Sequence, residues 1–210
     1  MKKFFTRFGE ILLVFFTILV VYLKPTFGAS GDRLSILLFG TLAFYYLASG
    51  VLTFLDKKRI TRSVRLIYIV GLWGISVIVI GIMCRIILLQ GDKELLIVAL
   101  FSLIGILMFA WLSYKNIEEE NNRDAFVWQM QPLIVRSILA LIIGAGFLFT
   151  DSYTIYRSFG TFRNNTEYIN TIVDAYQNPN DTLKVNTFKR LDSEIRSAPR
   201  EKPIPDSTKE

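Results

Sequence analysis

Residues 34–55 and 66–84 hold no charged side chain, and residues 56–65 between them carry Lys57, Lys58, Arg59, Arg62 and Arg65 against one acid, Asp56. The two uncharged runs are 22 and 19 residues long. At 1.5 Å of helical rise per residue, each reaches across about 30 Å of hydrocarbon. Backbone groups inside a bilayer have no water to bond, so runs of this kind are helices. The pair reads as a helical hairpin through a membrane. Cytoplasmic loops carry an excess of Lys and Arg, which puts the basic stretch on the cytoplasmic side.

Composition fits that hairpin. The chain is 52% hydrophobic, and its mean hydropathy of +0.41 is high for a soluble chain of 210 residues. The net charge of +6 arises wholly in residues 1–150, with fifteen basic and nine acidic groups, while residues 151–210 hold nine of each. The basic charge therefore belongs to membrane orientation, and no nucleic-acid partner is expected. Cys84 is the single cysteine, so no intrachain disulfide forms. The chain has no histidine, the commonest general base and metal ligand. No cofactor, metal or catalytic group is expected, and the protein reads as a non-enzyme.

Gly28-Ala29-Ser30-Gly31 resembles, over four residues, the G-x-S-G stretch around the serine of rhomboid-type intramembrane proteases. Such enzymes need a histidine base, which this chain lacks, and the stretch reads as a flexible Gly/Ser loop over residues 27–33.

The expected fold class is all-α, a polytopic bundle of five transmembrane helices over residues 1–152. The spans fall at about 8–23, 34–55, 65–89, 95–114 and 133–152. The first follows Lys2, Lys3 and Arg7 and lacks a convincing cleavage site, so it reads as an uncleaved helix. Residues 115–131 read as a polar connection, with Pro132 opening the fifth helix. With the N-terminus inside, the inner segments hold eleven basic residues and the outer loops four, Lys24, Arg33, Arg85 and Lys93. The expectation is a bacterial cytoplasmic membrane, N-terminus inside and C-terminus outside.

The tail, 153–198, then lies outside. Tyr153, Tyr156, Phe159 and Phe162 suit the outer interface, and Gly160 ends that extension. Asn164 followed by Glu167 reads as a helix N-cap. Ile169, Ile172, Val173 and Tyr176 follow i, i+3, i+4, i+7 spacing and predict the docking face of a short helix. Phe188, Leu191 and Ile195 predict a second. Residues 199–210, with prolines among charges, read as a disordered end.

Four groups carry the remaining polar chemistry. Glu10 is the single acid of the first helix, read either as a proton or cation site or as a partner for Arg7, Arg65 or Arg136 near the cytoplasmic interface. Thr41, Tyr45 and Ser49 form a polar stripe that either lines a cavity or bonds between helices. Gly71, Gly74, Ile78, Gly81 and Arg85 share one face of the third helix, and Ser137, Ala140, Gly144 and Asp151 share one of the fifth. These small-residue faces predict close approach, closed at the outer end by Arg85 with Asp151. The function this implies is a scaffold, accessory subunit or envelope-stress component. It meets the lipid bilayer, and its tail meets a protein partner or a second copy. The alternative is a transport or channel component built on Glu10 and the Tyr45 stripe.

Overall fold

The computed structural model describes residues 2–55, 62–117 and 119–197. The basic cluster Lys57, Lys58 and Arg59 and the expected disorder over 199–210 lie outside the described residues. Within them the chain is all-α, as eight helices without a strand: α1 (Lys2–Phe27), α2 (Ala29–Leu55), α3 (Arg62–Ile86), α4 (Asp92–Lys115), α5 (Glu120–Phe149), α6 (Ser152–Phe159), α7 (Thr166–Gln177) and α8 (Thr182–Ser197). Five are long and apolar enough to cross a membrane, over Phe8–Phe27, Ser30–Thr53, Val64–Ile86, Asp92–Lys115 and Asn122–Phe149. The chain is a multi-pass integral membrane protein.

Two boundaries differ from the sequence reading for local reasons. The expected Gly/Ser loop is a turn at Gly28 alone, whose φ of +55° suits a residue without Cβ. The helices flanking it continue to Phe27 and from Ala29. What would be loop charges are used across the turn, where Lys24 Nζ lies 2.9 Å from Asp32 Oδ1. Pro132 does not open α5 but sits inside it. The segment before it is helical because Phe126 and Met130, four apart on one face, are buried in the core. Neighbouring helices make such interior prolines tolerable in spans.

The most buried span is α3. Of its three face glycines Gly71 alone meets α5, while Gly74 and Gly81 meet α4. A Cβ on Gly71 meets Leu133 of α5, one on Gly81 meets Leu96 of α4, and one on Gly144 of α5 meets both Ile78 and Leu100. In hydrocarbon there is no hydrophobic drive between helices, so this close van der Waals fit is what selects neighbours. Ser76 Oγ donates to the Ala43 carbonyl at 2.9 Å and ties α3 to α2.

The segment after α5 joins the bundle. The chain divides into two compact units, residues 1–164 and 165–210. Ile155 and Tyr156 are buried, and Phe159 stacks on Phe147 at 5.6 Å between centroids. Tyr156 and Phe159 are thus packing residues of the bundle unit rather than interfacial ones. Gly160 ends α6, as expected, where a Cβ would collide with Tyr156.

The second unit is a helical hairpin. Asn165, one residue later than expected, caps α7 by accepting the Tyr168 N–H at 3.0 Å. The Tyr168 ring meets Phe188 edge-on at 5.8 Å, and its hydroxyl donates to Asp192 Oδ1 at 2.6 Å. Lys184 to Asp174 at 2.8 Å and Arg196 to Asp192 at 2.6 Å complete the hairpin.

Candidate functional site

The polar side chains of the bundle fall into two layers. The first gathers where α3, α4 and α5 end or begin. Arg85, in the last turn of α3, is fully buried. Its Nε donates to the Phe147 carbonyl at 3.3 Å and its Nη2 to the Thr150 carbonyl at 2.8 Å. Nη1 donates to Asp92 Oδ2 at 3.1 Å and Ser152 Oγ at 3.2 Å. The last carbonyls of a helix lack partners and carry partial negative charge. One arginine thus caps α5 while pairing with the acid that opens α4.

Arg85 therefore pairs with Asp92, not with Asp151. Asp151 is exposed, and its carboxylate accepts the Thr154 N–H at 2.8 Å as the N-cap of α6. Those hydrogen bonds from Thr154 hold its carboxyl below the usual range. A cap needs Asp151 to turn toward α6, which leaves the arginine to Asp92. That residue follows Gly91 at the start of α4, where negative charge is favoured. In the same layer Asp32 takes both Lys24 and the Thr161 hydroxyl, the latter at 2.7 Å. Lys24 is buried as completely as Arg85.

The second layer joins three helices. Glu10 of α1 accepts the Tyr46 hydroxyl of α2 on Oε1 at 3.1 Å, and Arg136 of α5 donates through Nη2 to Oε2. Of the basic partners considered for Glu10, Arg136 is paired with it, and the Arg7 side chain lies outside the described residues. Glu10 is 11% exposed at its side chain and Arg136 26%.

Residue numbering fixes the distance between the layers. Glu10 precedes Lys24 by 14 residues, Asp32 precedes Tyr46 by 14, and Arg136 precedes Thr150 by 14. Along three helices the layers are therefore roughly 21 Å apart. The first layer contains the α1–α2, α3–α4 and α5–α6 turns. The second falls within the candidate spans, with Glu10 the third residue of Phe8–Phe27 and Arg136 midway along Asn122–Phe149.

The Tyr45 stripe divides: a side-chain hydrogen bond joins Tyr45 to Ser49, and Thr41 stands apart. Thr41 is exposed and donates to Leu37 of its own helix. Tyr45 is half-buried, and its ring stacks edge-on against Tyr46 at 5.7 Å. The hydroxyl that reaches the ion pair belongs to Tyr46, a neighbour the sequence reading passed over. On α5 the Ser137 Oγ is buried without a hydrogen-bond partner among the described residues.

In the second unit Ile169 and Val173 are buried, and Ile172 and Tyr176 half-buried. Fully buried Tyr168, absent from the predicted face, is its polar anchor. Burial, then the hydrogen bond to Asp192, raises its phenol pKa. The chain matches no protein-family model, no curated protein and no solved structure.

Proposed function

We propose that this membrane protein is a non-enzymatic scaffold, accessory subunit or envelope-stress component that presents its α7–α8 hairpin as a contact surface outside the cytoplasm. The observation carrying this reading is that α7 and α8 belong to a compact unit of their own. Its helices are capped and cross-braced by Tyr168–Asp192 and Lys184–Asp174. A hairpin of this size cannot bury a full core of its own, so it is suited to a partner. The orientation is supported by the eleven-to-four split of basic residues. Lys24 and Arg85 of the four are consumed in buried pairs, which leaves Arg33 and Lys93 to count in the outer loops.

A photo-crosslinker at Leu183, the most exposed apolar residue of α8 at 75%, tests the reading in native membranes. A single discrete protein adduct is expected, and no such adduct from a crosslinker placed at exposed Phe101 of α4. Adducts to lipid alone would sink it. A reporter active only in the cytoplasm, fused after Glu210, should be silent.

The second reading, a transport or channel component, is favoured by one observation, the Glu10–Arg136 pair between two candidate spans. Ion or solute flux through liposomes carrying the purified chain, lost in Glu10→Gln, would move the assignment there.

A further inference from the structure

Arg136 is half-buried yet meets little protein. A guanidinium carries five N–H donors. Among the described residues, Arg136 gives one of them to Glu10. Both Glu10 oxygens are already engaged, one by Tyr46 and the other by Arg136 itself. Its side chain is 26% exposed, at a depth where lipid tails supply no acceptor. The flank beside it is also thinly covered, since α1 packs along α2 and touches α6 but makes no broad contact with α5 among the described residues.

We propose that Arg136 is the binding group for the phosphate of a phospholipid that enters between α1 and α5 from the nearer membrane face. Side chains of a helix lean toward its N-terminus, and the N-terminus of α5 points to that face. Glu10, the partner of Arg136, is the third residue of the α1 span Phe8–Phe27, so an arginine so directed stands near that span's end, where long cationic side chains reach the headgroups. A planar guanidinium with open donors binds phosphate through two parallel hydrogen bonds. The exposed apolar residues Ile11 and Phe15 of α1 and Leu139 and Ile143 of α5 offer the acyl chains a hydrocarbon surface. This site is independent of any role of the α7–α8 hairpin.

Native mass spectrometry of the full chain in detergent tests it. Three probes are titrated: phosphatidylglycerol, diacylglycerol with the same acyl chains, and inorganic phosphate. The expected result is about tenfold tighter retention of phosphatidylglycerol than of diacylglycerol, with the preference abolished in Arg136→Gln. Glu10→Gln, which removes the competing carboxylate but keeps the arginine, should tighten retention about threefold. A purely structural ion pair predicts the opposite for that variant. An unchanged preference in Arg136→Gln, equal retention of diacylglycerol, or binding of inorganic phosphate without chains overturns the proposal. If Arg136→Gln fails to insert, Glu10→Gln decides alone, and unchanged or weaker retention overturns it.

Discussion

Arg85 and Arg136 are both arginines in spans of one bundle, each facing one carboxylate from another helix. Arg85 is sealed: an acid, a hydroxyl and two helix-end carbonyls take its donors, and no part of it is exposed. Arg136 meets a carboxylate and little else, and a quarter of it is open. The difference follows from where each stands. Arg85 lies at the junction of three helix termini, where unpaired carbonyls are available by construction. Arg136 lies mid-helix, where every neighbouring carbonyl already serves its own helix. A buried charge at helix ends can be satisfied by the fold alone. One placed mid-span needs another side chain, water or a lipid.

The largest expected effect tests that contrast directly. Arg85→Gln leaves Asp92 buried and unpaired and uncaps α5, which should cost about 3–5 kcal/mol. Arg136→Gln also strips a buried acid of its base, but Glu10 keeps the Tyr46 hydroxyl and no helix end is uncapped, so it should cost less, about 2 kcal/mol. Thermal unfolding of the two variants in the same detergent measures both. Equal losses would erase the distinction between sealed and open layers.

The sealed layer also depends on close approach of α1 and α2. A Cβ on Gly31 would stand 2.7 Å from the Lys24 carbonyl oxygen, which is backbone and cannot move aside. Gly31→Ala should therefore cost about 1–3 kcal/mol. At Gly81 the same 2.7 Å clash is with the end of the Leu96 side chain, and Gly81→Ala should cost less. If the ranking inverts in paired melts, the α1–α2 turn is looser than described.

In the open layer, Tyr46→Phe removes the hydroxyl on Glu10 and should cost about 1.5 kcal/mol, as expected for a hydrogen bond to a charged acceptor. It should raise the solvent accessibility of Arg136, readable by dicarbonyl labelling of the guanidinium. Unchanged labelling would mean that Tyr46 does not restrain the pair.

The smallest effect is set by pH and belongs to exposed Asp151. Its folded pKa is depressed by the bonds from Thr154. Its contribution to α6 is thus present above the unperturbed carboxyl value near 4 and is lost as pH falls through the lower, folded value. Amide exchange at Thr154 should rise over that window after correction for its intrinsic pH dependence, and Asp151→Asn should remove the pH dependence while keeping a cap. The Tyr168 phenol has the opposite sign. Its pKa is raised, so its contribution to the hairpin is full below about pH 10 and declines above it.

What the sequence determined by itself was the membrane class, the five spans and the helical character of the tail. Hydrocarbon imposes a one-dimensional rule, about twenty residues without charge, and residues 34–55 and 66–84 obey it in plain view. Boundaries were also legible where a local signal exists, as at Gly160. Asp92 carried such a signal, an acid just after Gly91 at a helix start, yet its pairing with Arg85 was not readable. Tyr46 carried none, because α2 has little hydropathic asymmetry and its one polar stripe runs through Tyr45 instead. Only the tertiary structure decided that Tyr46 rather than Tyr45 reaches Glu10, that Arg136 is the base of that pair, and that Asp151 turns to cap α6. Each of these depends on how a helix is rotated about its axis and which neighbour its small residues admit. Those choices are made by packing between helices, and hydropathy along one chain does not encode them.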